Sequence, residues 1–213
     1  RFLMERFITD SMSYQSAVNN IELQPANDSE AKYTELHRVK CKPALYDASL
    51  VVSSIDIECS PNGELYSIGA YSDDCQRVFM IGQQIENCPD YLRWVDDEVE
   101  LLKTFIHWLN DYDPDVIIGW NVINFDFNLL QNRCQYHQIP FRIGRDGSVP
   151  HWRQLKTTEQ KFIEVAGRVI LDGIDILKTA TYNFASFSLD NVAGELLGKH
   201  KKVDDVENRL AEI

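Results

Sequence analysis

Two acids one residue apart, Asp56 and Glu58, close the apolar run Leu50-Val51-Val52-Ser53-Ser54-Ile55-Asp56-Ile57. The run is rich in β-branched residues and is predicted to form a buried strand. On a strand, residues i and i+2 share a face, so both carboxylates project together while Ile55 and Ile57 turn the other way. Carboxylates this close repel and resist ionising together. A divalent cation removes that conflict, and hard oxygen donors suit magnesium or manganese. Taken alone, Asp-x-Glu equally describes a solvated strand end with two surface acids.

A second group follows. Asp115-Val116-Ile117-Ile118-Gly119-Trp120-Asn121 predicts a short central strand running out to Asn121, with Phe125 and Asp126 opening the next helix. Asp126 is thereby expected in a first helical turn at the C-terminal edge of a sheet, where α/β folds place ligands. Helix-dipole compensation would account for Asp126 alone, and a backbone-bonding loop residue for Asn121 alone. The ordered pairing of Asp56-x-Glu58 with Asn121-x-x-x-Phe125-Asp126, each after a strand, favours a catalytic site.

The elements that must position these residues are readable around them. Leu65–Tyr71 and Arg77–Ile81 extend the first strand into a three-strand meander, turned at Pro61-Asn62-Gly63. Val95, Val99, Leu102, Phe105, Ile106 and Leu109 recur at helical spacing until Asp113-Pro114 stops the helix. A further helix carries Phe127, Leu130, Cys134 and His137. Lys161–Val165 and Arg168–Asp172 around Ala166-Gly167 predict a hairpin, and helices are expected near 173–181 and 188–197. Residues 1–45 alternate loosely, as short strands of a small, partial unit would, with a soft boundary near Tyr46. The element order describes an α/β fold of the ribonuclease-H-like kind: a mixed sheet flanked by helices, after a β-rich N-terminal segment.

Composition sets the outer limits. The 213 residues are 44% hydrophobic, enough apolar surface for a folded core. With 21 Lys+Arg against 33 Asp+Glu the net charge is −12, which excludes a sequence-blind nucleic-acid coat but not an enzyme gripping a few phosphates. Five cysteines without C-x-x-C spacing argue against a zinc ribbon or disulfide framework and for a reducing cytosol. No apolar run approaches the roughly 18 residues of a membrane span. A start at Arg1 and a stop in helical-looking sequence at Ile213 read as a piece of a longer polypeptide.

The segments Ile55-Asp56-Ile57-Glu58 and Gly119-Trp120-Asn121-Val122-Ile123-Asn124-Phe125-Asp126 resemble the first two exonuclease motifs of family B DNA polymerases. Arg1–Thr9, Gly63–Tyr66, Asp113–Val122, Gly144–Asp146, Ile170–Ile174 and Ser186–Asp190 are similar too, in order, to the bacterial polymerase II branch of that family. The resemblance implies a 3′→5′ proofreading exonuclease domain over 46–213, preceded by part of an N-terminal domain over 1–45. It implies that Asp56, Glu58 and Asp126 are catalytic and hold two Mg²⁺ or Mn²⁺ ions, and that Asn121 and Phe125 contact the 3′-terminal nucleotide. Implied partners are a single-stranded or frayed DNA 3′ end, the rest of the polymerase chain and, through the full-length protein, a sliding clamp. No membrane is implied, and the bacterial cytoplasm is the expected location.

One part of the pattern is missing. The family's third motif, Tyr-x-x-x-Asp, has no counterpart; Tyr182 is followed four residues on by Ser186. The resemblance places that motif beyond Ile213, leaving the exonuclease domain truncated before it. Asp172, ending a strand, has no catalytic role in the family, and neither does Asp190. His200 and Asp205 offer a rival, since their spacing matches histidine-type exonucleases in which they would be general base and third metal acid. The charged run from Lys199 to Asp205 also reads as a solvated loop after a Gly198 helix stop. A catalytically silent nucleic-acid-binding fragment is the other alternative.

Overall fold

In the computed structural model, residues 12–16, 39–45, 47, 49–84, 86–154 and 160–200 are described. The strands β1 (Met12–Ser16) and β2 (Val39–Pro43) pair antiparallel with each other. The main sheet begins at β3 (Val52–Cys59) and turns back through β4 (Leu65–Tyr71) and β5 (Gln76–Ile81). Gly63 makes the first turn possible with a φ of 82°, its N–H donating to the Ser60 carbonyl. A short strand missed in the sequence, β6 (Leu92–Val95), pairs parallel with β5 and takes Val95, which periodicity had assigned to the following helix.

Helix α1 (Glu98–Tyr112) starts at Asp97, whose carboxylate accepts from the Glu100 N–H. It buries Leu101, Leu102, Phe105 and Leu109 and ends at Asp113, left-handed at φ 57° before Pro114. The chain then enters β7 (Val116–Gly119), makes a π-helical turn over Ile123–Phe127, and continues as α2 (Asn128–Tyr136). The predicted 161–172 hairpin does not form as such. β9 (Lys161–Glu164) pairs antiparallel with β8 (His151–Gln154), whereas β10 (Val169–Asp172) joins the main sheet parallel to β7. Only the bridge Val165–Arg168 survives of the expected pairing. The tight turn is real, but β10 pairs along its whole length with β7, from Val169 opposite Val116 to Asp172 opposite Gly119. Helices α3 (Gly173–Thr179) and α4 (Leu189–Leu197) follow, near the predicted positions.

The six-strand sheet has the order β10-β7-β3-β4-β5-β6. Its first three strands run parallel; β4 and β5 supply the antiparallel turns and β6 runs parallel to β5. Ile55, Ile57, Ile68, Phe79 and Ile117 line one face and pack with α1 and α2 residues in a single apolar core. β3 alternates rather than being buried on both sides: Ser53, Ile55 and Ile57 go in, while Val52 and Asp56 stay exposed. That alternation turns Asp56 and Glu58 to the face opposite the core.

Candidate active site

Asp56 and Glu58 occupy the last turns of the pleat in β3, Asp56 exposed and Glu58 partly buried. They face Gly69 and Ser67 of β4, and the register slips by one residue just beyond Glu58. Such an irregularity ends regular pairing at the point where the acids emerge. Gly69 leaves Asp56 open on that side, having no side chain to place beside it.

The third acid arrives from the other direction. β7 pairs with β3 only through Val52–Ser54, so the later amides of β3 outrun their parallel neighbour. Asp126 supplies an acceptor there: its Oδ1 takes the N–H of Ile57 at 3.1 Å. The π turn makes this reach possible. Phe127 donates to the Val122 carbonyl five residues back at 2.8 Å, one residue more than an α turn accommodates. Asp126 is thereby only 2% exposed, Phe127 enters the core, and Phe125 between Asn124 and Asp126 remains 44% exposed. Asp126 was expected in the first turn of an α-helix and instead lies in the π turn before it. Nothing in residue type marks that extra residue; the inserted turn follows from having to satisfy the core and β3 at once.

Burial, and after it the charge of Asp56, pushes the Asp126 carboxyl up to about 7. Burial, then Glu58, then Asp126, likewise push the Cys59 thiol up. Asp126 thus senses Asp56, and Cys59 senses both Glu58 and Asp126, a local build-up of negative charge. Asp172 adds to it and raises Asp126 further.

Asn121 takes a left-handed conformation at φ 60°, a state that asparagine tolerates better than most side chains. Its N–H donates to Asp172 Oδ1, and the Ile123 N–H to Asp172 Oδ2. The indole of Trp120 donates to the Phe187 carbonyl at 3.1 Å, tying the other side of the turn to the segment before α4. Gly119 has no room for a side chain: a Cβ there would lie 2.7 Å from Val122 Cβ and 2.8 Å from the Ile55 carbonyl. The sequence reading missed Asp172 as the anchor of this turn. The signal was present in Asp172-Gly173-Ile174, an acid directly before a helix start.

Of the rival pair, only His200 lies within the described residues. His200 lies 3.5 Å from Asp190, both side chains largely exposed, and packs over Gly194 of α4. Asp205 falls outside the described residues.

Residues 1–192 match the model of the DNA polymerase family B exonuclease domain. The chain belongs to that family. The family B exonuclease domain is 39% identical here to DNA polymerase II of Escherichia coli K12, over the whole chain and 26% of that protein. It is 31% identical to a DNA polymerase of Thermococcus sp. 9oN-7 over 73% of the chain and 20% of that protein. A DNA polymerase of Thermococcus hydrothermalis gives 30% over 73% of the chain. The chain thus spans about a quarter or less of the length of these relatives.

Family B exonuclease domains are metal-dependent nucleases. The donor chemistry here fits such an ion: acid oxygens only, one of them buried beside another at a raised pKa. Among the described residues no three His, Cys, Asp or Glu side chains already converge as a cage.

Proposed function

We propose that this domain removes nucleotides from the 3′ end of DNA, proofreading for a polymerase-II-like enzyme of the bacterial cytoplasm. The observation that supports this best is the Asp126–Ile57 hydrogen bond, which sets a third acid against the strand carrying Asp56 and Glu58. Asp56, Glu58 and Asp126 would hold two Mg²⁺ or Mn²⁺ ions. Bound there, the ions supply a water of lowered pKa and charge compensation for the departing 3′ oxygen. Asp126 brings its carboxylate to that site from the protein interior, where solvent competes little for it. Asn121 contacts the terminal nucleotide, and exposed Phe125 offers its ring to the terminal base.

The substrate is a single-stranded or frayed 3′ terminus, delivered by the remainder of the polymerase chain; a sliding clamp would act through the full-length protein. The exonuclease domain begins near residue 46 in this reading. Among the described residues no helix is long and apolar enough to cross a membrane.

The deciding experiment is digestion of a 5′-labelled single-stranded oligonucleotide by the full-length protein with magnesium. A ladder shortening from the 3′ end, abolished by Asp56→Ala while polymerisation persists, is expected. Digestion from the 5′ end, or digestion that survives Asp56→Ala/Glu58→Ala, would overturn the reading.

A further inference from the structure

The geometry points to Asp172 as the residue that positions Asn121. This inference rests on the exonuclease reading and adds a residue to which that reading gives no part.

Asp172 is 3% exposed, at the C-terminal end of β10 directly opposite Gly119. Its two oxygens are taken up by main-chain amides. Oδ1 accepts from Ile174 at 3.0 Å and from Asn121 at 3.2 Å; Oδ2 accepts from Ile123 at 3.1 Å. The first of these bonds is an ordinary helix cap for α3, which a serine would also make. The other two cross to the turn after β7, about fifty residues away in the chain.

Those two crossing bonds bracket Asn121 and Val122. A left-handed residue is held in place only where its surroundings over-determine it. Here Asp172 fixes the amide of Asn121 and the amide two residues on, so the side chain leaves the turn in one direction. Close packing reinforces the brace: a Cβ on Gly173 would lie 2.9 Å from the Trp120 ring, and Gly119 is closed in by Val122. A capping residue needs one bond; three bonds to two elements describe a brace.

Asp172→Ser separates the two roles, because a serine keeps the cap and loses the crossing bonds. In the full-length protein, digestion of a single-stranded oligonucleotide is measured for wild type, Asp172→Ser, Asn121→Gly and the double variant, with Asp56→Ala as control. Asp172→Ser should lower kcat/KM about tenfold in the wild-type background and no more than about threefold when Asn121 is already glycine. Amide exchange at residues 121 and 123 should also quicken. If the serine variant does not melt cooperatively, Asp172→Asn replaces it in the same cycle, since one oxygen is retained. Equal losses in both backgrounds, or full activity without the crossing bonds, would overturn the positioning role alone. Absence of 3′ digestion in the wild type, or its persistence in Asp56→Ala, would instead remove the exonuclease reading beneath it.

Discussion

The carboxylate of Asp126 is fastened at 3.1 Å to the amide of Ile57, the residue between Asp56 and Glu58. One hydrogen bond therefore ties two segments 69 residues apart and sets the approach of the third acid to the first two. Because the bond runs to main chain, substitution of the Ile57 side chain leaves it in place, whereas changing the length of the acid does not.

Asp126→Asn tests what the charge contributes apart from the bond. The amide oxygen still accepts from Ile57, so the fold should hold, and removing one of two neighbouring negative charges leaves the melting temperature of the metal-free protein unchanged or higher. Nuclease turnover should fall on the order of a hundredfold or more, since a neutral amide is a poor ligand for a hard cation. Asp126→Glu should fold less well, because the added methylene has no space at 2% exposure.

Asn121→Gly removes a side chain without disturbing the left-handed backbone at φ 60°. Thermal melting should stay within about 2 °C of wild type, while kcat/KM on a single-stranded substrate drops roughly tenfold. Asn121→Val should instead lower the melting temperature, a β-branched residue being strained there. Equal stability of the two variants would contradict the backbone described here.

Phe125→Ala is expected to leave stability intact, as the ring is 44% exposed. Its cost should appear in binding: loss of one base–aromatic stack is worth about 1–3 kcal/mol. The expected signature is a raised KM for oligonucleotides with kcat little altered. A melting shift larger than that of an ordinary surface substitution would show that the ring packs on the protein instead.

Glu98 gives the protein an acid-sensitive brace outside the set of proposed site acids. Burial alone would raise its pKa, but hydrogen bonds from Arg133, the Leu65 amide and His137 outweigh this and bring it down to about 2. A folded-state value below the unfolded one means that the stabilisation is present above about pH 4.3. It is lost as pH falls from there through about 2. Partial solvent screening keeps the contribution near ~1–2 kcal/mol. Glu98→Gln should lower the melting temperature at pH 7, and the gap to wild type should narrow below about pH 4 and nearly close only around pH 2.

Much of this architecture was legible because it follows from periodicity. Alternation along β3 and the 3.6-residue spacing of Leu102, Phe105 and Leu109 both report a face turned to the core. The place of Asp56 and Glu58 near the end of β3 was readable for the same reason. What escaped was the choice of partner. The run 161–172 looked like one hairpin because its turn is local, while β10 is held by β7, which lies far away in the chain. Asp172 was visible only as a strand end, since the amides it gathers come from a turn that sequence alone does not bring near. The π turn was invisible, because it answers to two distant demands rather than to any residue within it.

That turn also constrains how this stretch can change in length. With Phe127 bonded five residues back, the segment carries one residue more than a plain helix would. Deleting a single residue between Asn121 and Phe125 would let an ordinary helix form, locally at some gain in regularity. The same deletion would rotate everything before it by about 100° relative to α2. Asp126 would stay in the helix but turn relative to β7 and β3, and its bond to the Ile57 amide would be lost. The chemistry is therefore protected less by the identity of every neighbour than by a fixed count. Insertions and deletions in this stretch should be far less tolerated than substitutions of its exposed residues.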